Sequence, residues 1–342
     1  MTKLGTFIVK TSIRMLVTYI TIIALFFVVV RGLPILILGP EADPVLVMLK
    51  KGAEDPRFGD WAIVTARKYG YGQPLYAQFI VYMQNVLRFD FGSSFYTQVP
   101  AIESIAIRLP YTLSLYTAAT ILPILIGYQA GIISAKHRGG KIDSIIVQLG
   151  IISYILPAWL VLLILYYFLS YLPKMNWGFY LFPLPVRPPS ISLIANLDFQ
   201  EIIYALWYVT PLILAAIIAW TGGWVYMVRQ LVVSELGQDY VVTALAKGLS
   251  ATDTLKKHVI PNLKPPLIMA LAFSLPGIFG GAIIFEAISN WPGIAALSLN
   301  AFTTWDFPLM MAFFTISTVL QIVSLLVAEI IIAILDPRVR VR

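Results

Sequence analysis

Six apolar stretches, each long enough to cross a bilayer, constrain this chain more than any other feature. They run over residues 7–30, 111–135, 144–172, 203–228, 267–289 and 308–335, and a hydrocarbon core takes about 20 helical residues to span. Lipid offers no hydrogen-bonding partner, so a spanning segment must pair its backbone internally, and runs of this length become helices. With 59% hydrophobic and only 12% charged residues, the chain is expected to be an all-α polytopic membrane protein with six transmembrane helices. No small-residue cleavage pattern follows the first stretch, which therefore reads as a retained signal anchor.

Orientation follows from the short connections. Lys3, Lys10 and Arg14 mark the N-terminal segment, and Lys136, Arg138 and Lys141 the 136–143 connection. Arg229, Lys247, Lys256, Lys257 and Lys264 lie in the 229–266 connection, and Arg338, Arg340 and Arg342 in the tail. The 290–307 connection has no Lys or Arg, and the 172–202 connection has only Lys174 and Arg187. The positive-inside rule then places both termini in the cytoplasm of a multi-pass cell-membrane protein. The net charge of +7 is explained by that asymmetry and requires no nucleic-acid partner.

Three parts are expected: residues 1–30, the cytoplasmic end and first span; 31–110, an extracellular helical subdomain; and 111–342, a core of the other five spans with a cytoplasmic loop at 235–266. Within the subdomain, helices are expected at 59–69, 74–89 and 100–108, with Pro74 and Pro100 suited to first helical turns. Leu75, Phe79, Tyr82 and Val86 recur at helical spacing and form one packing face. That face is expected to pack onto the ends of the spans; the alternative, functional reading adds that the exposed side receives another protein.

Pro123, Pro157, Pro211 and Pro276 lie inside four of the spans, where each removes a backbone donor and favours a kink. GxxxG spacing at Gly127/Gly131 and Gly277/Gly281, and the adjacent Gly222 and Gly223, suit close helix contacts. Glu286 and Glu329 are ionisable residues within spans, where charge is costly. Each reads either as part of a pathway or gate, or as a helix-end carboxylate held by a neighbour.

Several chemistries are excluded. Cys is absent and His occurs only at 137 and 258, so thiolate metal sites and Cys nucleophiles are ruled out, and a histidine metal centre has little to build on. There is no H-E-x-x-H, no G-x-S-x-G and no G-x-x-x-x-G-K-[ST]; Gly139-Gly140-Lys141 continues with Ile142. The chain is therefore not expected to be an enzyme, and any ATP must be bound elsewhere.

Residues 244–266, ALAKGLSATDTLKKHVIPNLKPP, read as a helix-turn-helix elbow. Residues 239–247 form a short helix with small residues Thr243, Ala244 and Ala246. Gly248 suits a helix C-terminal position with positive φ. Ser250 and Asp253 resemble a capping box, Leu255 and Val259 line one side of the second helix, and Pro261 with Pro265-Pro266 is expected to stop it.

This segment resembles the EAA loop of permease subunits in binding-protein-dependent ABC importers. Gly248 and Ile260-Pro261 match its spacing, whereas Val242 takes the place of the usual glutamate and Thr243 that of the first alanine. Residues 246–250, AKGLS, are more similar to the dipeptide and oligopeptide branch. Residues 71–95, 108–115, 285–297 and 334–340 also resemble that branch in order. Ala295 departs from it, standing where a second glycine is common.

The resemblance implies the type I importer permease fold and a division of labour. A second homologous permease, as a heterodimer, would complete the pathway. Two ABC ATPase subunits would hold ATP and Mg, no cofactor lying in this chain, and an extracellular solute-binding protein would deliver cargo. The elbow would supply the ATPase-coupling loop through Ala244, Gly248, Leu249, Ser250, Leu255, Val259 and Pro261, with Ala244, Leu249, Leu255 and Val259 as docking faces. Di- and oligopeptides are the expected cargo, with oligosaccharides or nickel chelates as alternatives. An ion-coupled secondary transporter using Glu286 or Glu329 is the reading from a different class.

Overall fold

The computed structural model describes residues 3–43, 45, 46, 50, 59–68, 70, 73–95, 97–190, 198–280 and 283–335. Its principal helices are α1 (Lys3–Phe27), α2 (Leu75–Leu87), α3 (Ala101–Lys136), α4 (Lys141–Ile155), α5 (Ala158–Tyr166), α6 (Phe199–Leu236), α7 (Asp239–Ala246), α8 (Lys264–Gly280), α9 (Ile294–Thr304) and α10 (Phe307–Leu335). Among the described residues the only extended pairing is a single bridge between Ser93 and Pro100.

Five helical stretches among the described residues are long and apolar enough to cross a membrane: Gly5–Leu38, Ala101–Lys136, Ala158–Trp177, Phe199–Leu236 and Phe307–Leu335. They differ from the six expected at two places. The 144–172 stretch is divided by Pro157: Leu156 before it is extended, and Pro157 itself caps α5, because a residue preceding proline disfavours the helical region. The 267–289 stretch is divided between α8 and Ile283–Ser289; residues 281 and 282, including Gly281 of the second GxxxG pair, lie outside the described residues. Pro123 and Pro211, by contrast, sit within continuous helices. The helix expected at 100–108 is not separate but forms the first part of α3. Pro44, residues 71 and 72, and the tail from 336 onward also lie outside the described residues.

The chain forms two compact units, Met1–Pro110 with Gly293–Arg342, and Tyr111–Pro292. This differs from the expected boundary, since 293–335 groups with the N-terminal part rather than with 111–292. The reason is a shared apolar core: Ile23, Phe27 and Val30 pack with Tyr82 and Val86 of α2 and with Phe307, Met310 and Met311 of α10. Phe26 stacks on Phe314 with centroids 4.1 Å apart. The Tyr82 hydroxyl shares a 2.6 Å hydrogen bond with Thr315, giving the buried phenol a polar partner. Arg31, at the end of the first apolar run, is wholly buried, 3.4 Å from Asp43, with its guanidinium 5.4 Å from the Phe307 ring centroid.

Residues 89–94, FDFGSS, tie this unit together. Asp90 accepts from the Gly92 N–H at 3.1 Å and from Lys68 Nζ at 2.6 Å. Ser94 donates to Asp306, whose other oxygen accepts from the Leu309 N–H at the start of α10. A side-chain acceptor there satisfies a backbone donor that has no intrahelical partner.

In the second unit, α6 is closely packed on two sides. A Cβ at Gly127 would stand 2.4 Å from Trp224 Cβ, and one at Gly131 would stand 2.8 Å from Val228 Cβ, so the first GxxxG pair marks a crossing that admits no side chain. On the other side, a Cβ at Gly222 would lie 2.0 Å from the Gly150 carbonyl oxygen. Beside it, Ser153 Oγ accepts from the Gly222 N–H at 2.9 Å and donates to the Ile218 carbonyl. Those two backbone groups are the ends of one i to i−4 rung of α6, so Ser153 clasps the ladder itself.

Candidate functional site

The elbow begins with α7. Its end is closed by the Leu249 N–H donating to the Ala244 carbonyl at 3.3 Å and the Gly248 N–H donating to the Leu245 carbonyl at 2.9 Å, with Gly248 at φ +86°. This is the Schellman pairing, with glycine at the left-handed position. Nothing lies within 4 Å of where a Gly248 Cβ would stand, so the need for glycine is conformational rather than steric.

The second arm starts at Ser250. Its Oγ accepts from the Asp253 N–H at 3.1 Å and donates to Asp253 Oδ2 at 2.7 Å. This differs from a full capping box, because the carboxylate takes the hydroxyl proton instead of the N-cap amide. The Ser250 hydrogen bond, reinforced by the Lys257 charge, holds the Asp253 carboxyl below its ordinary range. The chain then runs through Ala251–Thr254, a π-helical turn at Leu255–Val259 and Ile260–Asn262. Pro261 therefore does not stop the arm, and Pro265-Pro266 open α8. The prolines of α8 sit in its first turn and forfeit no helical hydrogen bond, whereas Pro261 follows helical Val259 and Ile260 and gives up a backbone donor inside the arm.

Burial reassigns the roles expected within the elbow. Val241, Ala244, Leu255, Val259 and Leu263 are buried against Ala135, Val228 and Val232 of α3 and α6. Ala244, Leu255 and Val259 thus hold the elbow onto its own unit rather than form docking faces, and Leu249 is half-buried. The outward side carries Val242, 62% exposed, and Leu245, 46% exposed, together with Thr243, Ala246 and Lys247. Helical spacing identifies an apolar face but does not say whether its partner is internal. Leu245 follows Val241 by four residues, so spacing alone groups it with the buried face, and the exposed, apolar Val242 is the one departure the sequence offered.

Beneath this core sits an ion pair that sequence reasoning missed. Asp143, in the first turn of α4, accepts from Arg229 Nε at 2.7 Å and Nη2 at 2.8 Å, from the Gly139 N–H at 2.8 Å and from Ser134 Oγ at 2.5 Å. Arg229 above all, then the Ser134 hydrogen bond, holds its carboxyl well below the usual carboxylate range. The pair links the start of α4, the end of α3 and the stretch of α6 that carries Val228 and Val232.

The two span glutamates belong to different units. Glu329 of α10 accepts from Arg14 of α1 at 2.7 Å, which makes it an interhelical ion pair within the first unit. Glu286 is wholly buried in Ile283–Ser289. Its backbone carbonyl accepts the Trp291 N–H at 3.0 Å, with Asn290 at φ +50° closing the helix. Trp291 Nε1 donates to the Tyr111 carbonyl at 2.9 Å, and the Tyr208 hydroxyl to that of Ser289. Ala295 lies buried inside α9, and the left-handed residue of the turn is Asn290.

An elbow punctuated by Gly248 and Ser250 thus stands against two long apolar helices, α3 and α6. The chain belongs to the family of binding-protein-dependent transport system inner membrane components, whose profile matches residues 127–341; it is a multi-pass ABC importer permease. It is 30% identical to the oligopeptide transport system permease protein AppB of Bacillus subtilis, over 98% of this chain and 99% of the relative. It is 31% identical to the dipeptide transport system permease protein DppB of Lactococcus lactis, over 80% and 83%, and 32% identical to the metal-staphylopine import system permease protein CntB of Staphylococcus aureus, over 81% of each.

Proposed function

We propose that this permease carries di- or oligopeptides into the cell as one half of a heterodimeric pathway of six spans per subunit, with both termini cytoplasmic. ATP and Mg are held by two partner ABC ATPase subunits, and an extracellular solute-binding protein delivers the peptide. The observation that carries the coupling role is the division of the elbow into a buried side and an outward apolar side. Val242, Leu245 and Ala246 enter a cleft of the ATPase subunit, while Ala244, Leu255 and Val259 fix the elbow to α3 and α6. Gly248 and Ser250 set the angle between the arms, and Pro261 begins the run into α8.

Contacts that differ between open and closed ATPase states are what shift a transporter between its two conformations. The buried core passes that shift to α6, and the Asp143 pair passes it to α3 and α4. The AppB and DppB relatives support peptide as cargo, and the CntB relative supports a metal chelate as the second reading.

The test is ATPase activity of the assembled transporter in lipid, with its binding protein, against peptides, metal chelates and oligosaccharides. Stimulation by peptides alone is the expected result. Stimulation by a chelate alone replaces the cargo but keeps the coupling, and uptake that runs without ATP refutes both.

A further inference from the structure

At one end of the first span, α1 passes through the π-helical turn Val28–Gly32 into Leu33–Leu38. Between this bend and α2 lies a groove of about 360 Å³. Its walls include Phe27, Val28, Leu33, Leu36, Leu75 and Phe79, and among the described residues no charged side chain lines it. Tyr76, also in the lining, is 71% exposed. The surrounding surface is equally apolar: Leu36 is 80% exposed, and Val29, Ile37, Leu38 and Ile80 are exposed as well. On the side of α2 away from the core Tyr76, Ile80 and Leu87 are exposed beside the polar Gln84, a mixture that suits a membrane interface.

We propose that this groove binds the acyl chain of a bilayer phospholipid and that α2 lies at the membrane interface. Two observations choose this occupant. The groove shares Ala24, Phe27, Val28, Gly32, Leu33 and Leu36 with Gly5–Leu38, a stretch long and apolar enough to cross a membrane, which contains an 18-residue segment of mean hydropathy 2.6. Among the described residues its lining offers no charge and, of polar side-chain groups, the Tyr76 hydroxyl, so a peptide would leave its own N–H and C=O groups unpaired there, whereas an acyl chain has none to satisfy. Tyr76 then stands at headgroup depth, where an amphipathic ring is favoured.

Gly32 supplies the test. It lines the groove, is helical, and a Cβ there would meet only the Val28 side chain at 3.6 Å, so Gly32→Leu fills the space without opposing the backbone. The assembled transporter is reconstituted with a phosphatidylglycerol carrying a diazirine in its acyl chain, irradiated, and its adducts mapped by mass spectrometry. The expected result is labelling of residues 24–36 and 75–79 that falls about tenfold in Gly32→Leu, the loss from displacing about two buried methylenes. Labelling of the exposed Val323 and Val327 on α10 stays unchanged as the folding control. Groove labelling no stronger than that of α10, or labelling insensitive to Gly32→Leu, would mean ordinary boundary lipid and overturns the proposal. Labelling that appears only when the binding protein or second permease is absent overturns it too, because the groove is then covered by protein. Ligand-stimulated ATPase, read on the same sample, tests the transport role separately.

Discussion

Arg229 grips Asp143 with two parallel hydrogen bonds, Nε to Oδ1 at 2.7 Å and Nη2 to Oδ2 at 2.8 Å. The guanidinium comes from the C-terminal part of α6 and the carboxylate from the first turn of α4. The Asp143 side chain is 6% exposed and that of Arg229 is 21% exposed. Removing one partner of such a pair strands the other. Asp143→Asn is therefore expected to destabilise the subunit by about 3 kcal/mol, seen as a lower unfolding midpoint of the purified complex, with part of the loss recovered in the double variant with Arg229→Met. An unchanged midpoint would show that the pair contributes nothing.

The same carboxylate sets an acid limit. Its folded-state pKa is depressed, so its contribution is fully present above the unfolded value, about pH 4, and is lost only as pH falls through the lower folded value. Wild-type stability should therefore show no titration of this pair between about pH 5 and pH 8, and the gap between wild type and Asp143→Asn should close only under stronger acid. Chemical denaturation at several pH values reads this directly.

Gly248 stands at φ +86° with open space around it. Gly248→Val should cost about 2 kcal/mol or more, since a β-branched residue strongly resists the left-handed region, whereas Gly248→Asn should cost less. The expected readout is loss of ligand-stimulated ATPase in the valine variant and partial retention in the asparagine variant. Equal behaviour of the two would mean the backbone turn does not govern coupling.

The two sides of the elbow should separate stability from coupling. Leu245→Glu changes an exposed residue and should leave the unfolding midpoint almost unmoved, within about 0.5 kcal/mol, while lowering stimulated ATPase about tenfold. Leu255→Ala removes a buried side chain and should cost about 3 kcal/mol. Stimulated turnover that survives Leu245→Glu would remove the outward face from the ATPase interface.

Glu329 is tied to Arg14 in a partly exposed pair. Pairs of this kind contribute about 1 kcal/mol or less. Glu329→Gln is expected to leave peptide uptake near wild type, and uptake should persist when the proton gradient is collapsed. Gradient-dependent uptake abolished by this substitution would restore the ion-coupled reading.

Much of this molecule is readable from residue spacing. Apolar run length gave the spans because lipid leaves the backbone no alternative to helix, and Gly248 and Ser250 announced their turn because few residues serve those positions. Gly127 and Gly131 likewise declared a close crossing. Pairing across long sequence distance was hidden. Nothing in the order of residues says that Asp143 meets Arg229, that Glu329 meets Arg14, or that Arg31 is buried beside Asp43. The inward and outward sides of the elbow were confused for the same reason: α7 is apolar on both, and only the position of Val228 and Val232 distinguishes them. Pro157 and Pro261 show the limit of reading prolines singly, since one divides a stretch and the other lies within a continuing helical arm.

The crossing of α4 and α6 makes two neighbouring glycines unequal before mutation. A methyl group at 150 would meet Val225 at 3.5 Å, an ordinary contact, whereas one at 222 would stand 2.0 Å from a backbone oxygen whatever residue occupies 150. Position 150 is free to drift to alanine in a single step. Position 222 has no such step, and a lineage could leave glycine there only by first moving the two helices apart.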